Sequence, residues 1–457
     1  MKQTLFGTSG IRGVANSGLT SELVLKVGLA IASFTKAGSV AVGFDTRLSS
    51  DMIVHSLMAG LLAGGAEVRN HGLIPTPVLA YLTSDTRSDA GAMVTASHNP
   101  PEYNGIKLFG KDGMAFNHDL QNRIEELVNL AEPQRASWNS LRRVEPVDYT
   151  HRYVEMVRSL VVIERQWKVV IDPGCGAAYA LGPRLFREQG CKVLSINAQP
   201  DGFFPGRSPE PTNESLDLLS KVVKESGANA GVAYDGDADR MALVDEAGEI
   251  VPMDQLMAAY GAYLVSLENE KTIVVPVDAS MCIEESVEEA GGRVVRTPVG
   301  DVNVAQAVLE HKAALGAEAS GAWINPDYSL CPDGMLSSLL VIAAVSSERL
   351  NTTLSKFVRP IPRYPILRSK VTCPQELQAK VMDELQSELL RIMPRECETL
   401  TVDGVRLSVS TEWVLVRPSG TEPVLRVTVE AKDRTRAESL MSQTISLAQR
   451  TIKQIST

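Results

Sequence analysis

The sequence predicts an α/β protein: three similar βαβ mixed-sheet domains, then a C-terminal α+β domain, set around a central cleft. Three observations carry this. One strand–helix–strand plan recurs three times. In each copy the third strand ends in an unusual polar cluster. After about residue 367 the plan changes.

The first strands read SVAVGFDTR (39–47), KVVIDPGCG (168–176) and TIVVPVDAS (272–280). Each is apolar and β-branched and ends at an aspartate in a turn. The helical stretches that follow end at Gly64-Gly65, Gly190 and Gly291-Gly292, where glycine takes left-handed backbone at little cost. Second strands follow as AEVRNHG, CKVLSIN and GRVVRTP. Third strands follow as AGAMVTASHNP (90–100), ANAGVAYDGDADR (228–240) and ALGAEASG (314–321). Each leads to an extended piece and a second turn: KLFGKDGM, ALVDEAGE and INPDYSLCPDGM. Strands alternating with helices imply βαβ units and a mostly parallel sheet. Such sheets bind ligands beyond the carboxyl ends of their strands. Repeat position and polarity coincide, so three equivalent loops are expected to face one cleft.

The C-terminal part offers a helix near 374–392, strands in TVDGVRLSV, EWVLVRPSG and VLRVTVEA, and a long amphipathic terminal helix. Asp403-Gly404 is a hairpin signal. The expected domains are 1–150, 151–252, 253–366 and 367–457.

A chain of 457 residues is long enough for roughly three or four domains. The formal net charge of −10 argues against a non-specific nucleic-acid binder, which needs a basic face. A local basic pocket for a small anion remains compatible with it. No apolar run approaches the ~18 residues of a membrane span; LLVIAAV (339–345) reads as a buried element. The six cysteines show no C-x-x-C spacing, which fits reduced thiols in the cytoplasm. The six histidines are scattered and suggest no zinc site. A metal would need oxygen ligands, and no oligomer interface is legible.

Asp235-Gly236-Asp237-Ala238-Asp239-Arg240 places carboxylates at i, i+2 and i+4. They share one strand face or converge on a tight loop, and hard oxygens select Mg²⁺ or Ca²⁺. An EF-hand is the rival, with Glu246 at loop position 12. Arg240 stands where that loop needs glycine, and the flanks read as strands. An ordinary acidic turn is the plain alternative. Arg417-Pro418-Ser419-Gly420-Thr421 offers a guanidinium fork, hydroxyls and a close backbone, which suit a phosphate. Glu318-Ala319-Ser320-Gly321 offers a carboxylate and a hydroxyl that suit sugar hydroxyls, and alone it is weak. Arg12 lies between Gly10 and Gly13 and is a candidate partner for a phosphate or for Ser97.

Ser97 and His98 are adjacent. On an extended chain their side chains point to opposite sides, so His98 is not expected to be the base of Ser97. No G-x-S-x-G elbow exists, and an acyl-transfer triad is disfavoured. His98 is expected to orient the loop or a phosphate, with Lys107 the better charged neighbour.

TASHNP with NGIK, DGDADR, E-x-S-G and RPSGTEP stand in the order and approximate spacing of the α-D-phosphohexomutase superfamily, which the chain resembles over nearly its whole length. FGTSGIRGVAN and the RTPVGDVNV stretch (296–304) look like phosphoglucosamine mutases. PDGFFPGRSPEPTNESL (200–216) is closer to phosphomannomutase/phosphoglucomutase sequences. Ala322 stands where many members have histidine, and Ser9 where the bacterial glucosamine enzymes have aspartate.

The resemblance implies a phosphoserine at Ser97 and Mg²⁺ held by Asp235, Asp237, Asp239 and a phosphoserine oxygen. It implies sugar contacts from Glu318 and Ser320, and substrate contacts from Arg240, Gly300 and Asp301. Arg417, Ser419, Gly420 and Thr421 would hold the substrate's phosphate. The implied reaction interconverts a hexose 6-phosphate and 1-phosphate through a hexose 1,6-bisphosphate, with glucosamine-phosphate first and glucose- or mannose-phosphate as alternatives. Arg12, Lys107 and Arg240 would supply positive charge. Lys107 is the expected base if nearby cations depress its pKa. A hinge near residue 367 is expected. A phosphatase, or a sugar-phosphate or cation-binding protein without turnover, remains the rival.

Overall fold

The computed structural model describes residues 5–7, 10–268, 271–419 and 422–456. They form two compact units. One contains 1–253 and 314–359, and the other contains 254–313 and 360–457.

In the first unit a seven-stranded sheet runs in the order Phe6–Gly7, Gly10–Val14, Tyr103–Gly110, Ala90–Val94, Ser39–Phe44, Glu67–Leu73, Val144–Pro146. The strands Ser39–Phe44, Glu67–Leu73 and Ala90–Val94 are mutually parallel, and Tyr103–Gly110 returns antiparallel to Ala90–Val94. Both faces are covered. Val40, Val42, Ala92 and Val94 join Val24, Val27, Ile53 and Leu57 of the helices Ser21–Phe34 and Ser50–Ala63. Helix Thr76–Asp85 packs on the same two strands. Two covered faces explain why these strands read as continuous apolar runs rather than alternating ones. Thr20 accepts from Leu23 N as the N-cap of Ser21–Phe34.

The same unit holds a four-stranded sheet in the order Met241–Val244, Ala230–Tyr234, Lys168–Asp172, Lys192–Ser195. Its first pair is antiparallel and the others are parallel. The third repeat contributes the antiparallel pair Leu315–Ala317 and Trp323–Ile324 to this unit. In all three copies the third strand is therefore followed at once by an antiparallel partner. The expected polar clusters are the hairpin loops between them: 95–102, 235–240 and 318–322. The expected helix-ending glycines are left-handed, with φ of +85° at Gly65, +82° at Gly190 and +89° at Gly291.

The second unit holds the parallel pair Thr272–Pro276 and Arg293–Thr297. It also holds a five-stranded antiparallel sheet in the order Ile366–Thr372, Val424–Ala431, Glu412–Pro418, Val405–Val409, Glu398–Leu400. The terminal helix Arg434–Ser456 buries Ala437, Leu440, Met441, Thr444, Leu447, Ala448 and Thr451, a stripe at helical spacing. Glu430 is fully buried on the strand Val424–Ala431. It accepts from Ser280 Oγ at 2.5 Å, Met281 N at 2.8 Å and Trp413 Nε1 at 2.5 Å. Residue 367 lies inside a compact unit, and residues 280–281 grip the C-terminal sheet through a buried carboxylate. No helix among the described residues is long and apolar enough to cross a membrane, and LLVIAAV lies in the buried helix Gly334–Ser346.

His71 sits at 7% exposure with neither ring nitrogen hydrogen-bonded, edge-on to Tyr149 at 5.9 Å. Burial first, then Arg69, lowers its pKa to about 4, with Asp148 opposing. The unfolded chain, with an imidazole pKa of about 6.5, takes up the proton first. Stability is therefore complete above about pH 6.5 and falls as pH drops toward 4. Thermal midpoints at about pH 5 and about pH 8 should differ less in His71→Leu than in the parent. An unchanged difference would remove His71 from the account.

Candidate active site

Ser97 stands just beyond the buried strand Ala90–Val94 and is 1% exposed. Its φ is +52°, a left-handed conformation that costs a non-glycine residue about 1 kcal/mol or more. The surroundings hold it there. Thr95 Oγ1 accepts from Ser97 N at 2.8 Å and donates to Asp45 Oδ2 at 2.7 Å. Arg47, ion-paired with Asp45 at 3.0 Å, donates to the carbonyls of Ser97 (2.7 Å), Asn99 (2.6 Å), Pro100 (2.6 Å) and Tyr103 (2.9 Å). Asn99 Oδ1 accepts from Arg12 Nη1 at 2.8 Å. The loop is thus tied on one side to Arg47 and on the other to Arg12.

The left-handed turn corrects the expectation about His98. Adjacent side chains diverge on an extended chain, but this chain is not extended at Ser97. Ser97 Oγ lies 3.2 Å from His98 Nδ1. His98 is still a poor base. Burial first, then Arg240, Arg12 and Lys107, lowers its pKa to about 3. The imidazole is neutral at physiological pH and can share a hydrogen bond with the hydroxyl without drawing its proton away.

Ser97 Oγ donates to Asp235 Oδ2 at 2.6 Å. This reaches the second hairpin loop, where Asp235, Asp237 and Asp239 bring carboxylate oxygens within 4.8 Å of one another. Gly236 allows the approach: a Cβ there would lie 2.5 Å from the Ser97 carbonyl oxygen. Thr76 secures Asp237 twice, from Oγ1 to Oδ2 at 2.5 Å and from its N to the Asp237 carbonyl at 2.9 Å. Lys107 Nζ donates to Asp237 Oδ2 at 2.7 Å and Asp239 Oδ2 at 2.5 Å.

These charges shape one another. Burial, then Asp239 and Asp237, raises the Asp235 carboxyl well above the usual range. Burial, then Asp237, raises Asp239. Burial pulls Asp237 up as well, but Lys107 and the Thr76 hydroxyl hold it below the ordinary range. Lys107 is raised: burial opposes its charge, and Asp237 and Asp239 outweigh burial. That is a second correction. The base role expected of Lys107 needed a depressed pKa, and in this arrangement two carboxylates keep the ammonium protonated.

Asp237 Oδ1 and Asp239 Oδ1 are buried and have no hydrogen-bond partner. Unsatisfied buried carboxylate oxygens are costly. Two of them beside a third carboxylate fit a hard divalent cation with oxygen ligands. The loop is not an EF-hand, since strands Ala230–Tyr234 and Met241–Val244 flank it.

The third hairpin loop joins the second within the same unit. Arg240 forms an antiparallel bridge with Ala322, Met241 N donates to Gly321 O at 3.1 Å, and Ser320 Oγ donates to Glu318 Oε2 at 3.3 Å. Arg240 is raised despite burial by Asp239, Asp235 and Glu318. Ser97, His98, Lys107, Arg12, Arg240, Glu318, Ser320 and the three aspartates thus belong to one unit. The sequence reading missed Asp45, Arg47, Thr76 and Thr95. The signal for Asp45 and Arg47 was the polar run GFDTR at the end of a buried strand, read only as a turn; Thr76 and Thr95 lie outside it.

The remaining expected residues lie in the second unit. Arg417 ends the strand Glu412–Pro418, and Ser419 is buried, with its N donating to Val424 O at 3.0 Å. Gly300, with φ +125°, precedes helix Asp301–His311. Gly420 and Thr421 lie outside the described residues.

Residues 3–135, 148–248 and 252–364 match phosphoglucomutase/phosphomannomutase alpha/beta/alpha domains I, II and III, and residues 368–446 match the C-terminal domain of the same family. A Pyrococcus abyssi protein named probable phosphoglucosamine mutase is 42% identical, over 99% of this chain and 99% of the relative. A Methanobrevibacter smithii protein of the same name is 44% identical, over 98% and 99%. A crystal structure of a phosphoglucomutase/phosphomannomutase family protein from Burkholderia thailandensis has a TM-score of 0.87 at 27% identity, covering 100% of this chain and 98% of that one. The chain belongs to the phosphoglucomutase/phosphomannomutase family, within the α-D-phosphohexomutase superfamily.

Proposed function

We propose that this chain interconverts a hexose 6-phosphate and its 1-phosphate, with glucosamine-phosphate the leading substrate, through a phosphoserine at Ser97 and a hexose 1,6-bisphosphate. The observation that carries this is the 2.6 Å hydrogen bond from Ser97 Oγ to Asp235 of the buried triad. A serine hydroxyl bonded to a buried three-carboxylate cluster supports a nucleophile beside a divalent-cation site. The glucosamine preference rests on the names of the relatives at 42% and 44% identity.

Asp235, Asp237 and Asp239, with an oxygen of phospho-Ser97, would hold Mg²⁺. When bound, it supplies positive charge to neutralise the transferring phosphoryl group. The chain's own residues do the rest. In one half-reaction the P–Oγ bond of phospho-Ser97 breaks as a new P–O bond forms to the sugar's free hydroxyl, whose proton in the net balance ends on the released Ser97 Oγ. After the bisphosphate turns, its other phosphoryl returns to Ser97 Oγ. Asp235 Oδ2 orients that hydroxyl, and Arg47 fixes the loop carrying it. Lys107, Arg12 and Arg240 add positive charge around the transferring group, where positioning and charge neutralisation supply most of the rate. Glu318 and Ser320 offer an acceptor and a hydroxyl to sugar hydroxyls. Arg240 adds a cation, Arg417, Ser419, Gly420 and Thr421 bind the phosphate that is not reacting, and Gly300 and Asp301 contribute to substrate binding. The partner in this reading is a small sugar phosphate and the location the cytoplasm.

The test presents glucosamine 6-phosphate, glucose 6-phosphate and mannose 6-phosphate, each with Mg²⁺ and a catalytic trace of hexose 1,6-bisphosphate. The expected result is 1-phosphate formation, fastest with the glucosamine compound, and its loss on chelation. Inorganic phosphate without 1-phosphate would make the chain a phosphatase. Binding without conversion would make it a sensor.

A further inference from the structure

In the sequence Asp403 is simply half of a hairpin signal. The structure gives it a second occupation. It lies in the turn between strands Glu398–Leu400 and Val405–Val409, one residue before Gly404. Gly404 has φ +75°, and a Cβ there would sit 2.2 Å from Val416 O and 2.7 Å from Arg417 Cα. Glycine thus lets the turn lie directly on the backbone that carries Arg417. Asp403 Oδ2 then accepts from Arg417 Nη1 at 3.2 Å and from Val299 N at 3.3 Å. Val299 immediately precedes Gly300 and helix Asp301–His311. One carboxylate oxygen therefore ties together two loops from distant parts of the sequence. Asp403 and Arg417 side chains are only 21% and 20% exposed, so the pair is held in partial shelter from solvent.

We propose that Asp403 is a positioning residue for substrate binding. Its carboxylate holds one edge of the Arg417 guanidinium against the Val299–Asp301 loop and leaves the rest of the fork set for a phosphate. A long arginine side chain otherwise samples many rotamers, and ordering it in advance spares that entropy on binding. The charge matters as well as the shape, because an ionised acceptor bonds a guanidinium more strongly than a neutral one. This inference rests on the reading of Arg417 as a ligand of the substrate's phosphate.

The test is a double-mutant cycle on the full chain, with glucosamine 6-phosphate as the varied substrate and a trace of glucose 1,6-bisphosphate. Asp403→Ala should raise KM about tenfold with a much smaller change in kcat, since the interaction is uniform binding. Asp403→Asn, which keeps an acceptor for Val299 N but loses the charge, should fall between Ala and parent and covers the case in which the Ala variant fails to fold. In an Arg417→Ala background, Asp403→Ala should add no further rise in KM. Equal rises in both backgrounds would reduce Asp403 to a structural turn residue and overturn the proposal. Parental KM in Asp403→Ala, while Arg417→Ala raises it, overturns the proposal alone. Parental KM in Arg417→Ala overturns the reading of Arg417 and the proposal with it.

Discussion

Ser97→Ala is expected to lower the mutase rate on the order of 10⁴-fold or more while leaving the fold in place. In the proposed mechanism this hydroxyl carries the phosphoryl between the two half-reactions. Its removal leaves Arg47, Thr95 and the backbone bonds of the loop untouched. Alanine at φ +52° bears a strain similar to serine's. A thermal midpoint close to the parent's should therefore accompany the loss. Parental turnover by the purified variant would remove the phosphoserine from the mechanism.

Arg47→Ala is expected to have the largest effect on stability. Arg47 and Asp45 side chains are both fully buried. Burial raises the Asp45 carboxyl, and Arg47 is the first group opposing that rise. Without it a buried carboxylate loses its charge partner, and four loop carbonyls lose their donor. Breaking one side of a buried ion pair costs about 3–5 kcal/mol. Ser97 would also drift relative to Asp235, and a displacement of about 1 Å costs on the order of 10²-fold in rate. Arg47→Lys should recover part of the stability but little of the rate, because an ammonium cannot span the carbonyls that the planar fork reaches. Thermal melts and kcat on the two variants check this. A parental melt for Arg47→Ala would show that the carbonyl bonds contribute nothing.

Much of this site was legible in the sequence, for physical reasons. Continuous apolar runs ending in polar loops marked the carboxyl ends of the third strands, and those ends are the three hairpin loops 95–102, 235–240 and 318–322. The D-x-D-x-D spacing marked a candidate cation cluster because carboxylates at alternate positions share a strand face or converge on a tight loop. The side-chain contacts were less legible. Ser97 and His98 were taken as extended neighbours, and a single left-handed residue, invisible in a Ser-His-Asn-Pro string, reverses that geometry. Lys107 was expected to meet cations and instead meets two carboxylates from a loop 130 and 132 residues away. Arg47 and Asp403 looked like turn residues because their partners are distant carbonyls and a distant arginine. The bonds from Ser280 and Met281 to Glu430, across 150 and 149 residues, were hidden for the same reason.

The central claim is that Ser97 carries the phosphoryl group between substrate forms. Purified protein incubated with glucose 1,6-bisphosphate and Mg²⁺, then digested for peptide mass spectrometry, should show one phosphoryl group on Ser97. That group should leave on addition of glucosamine 6-phosphate and appear as the sugar bisphosphate. A phosphoryl group on a different residue, or its release as inorganic phosphate when the sugar is added, would contradict the account.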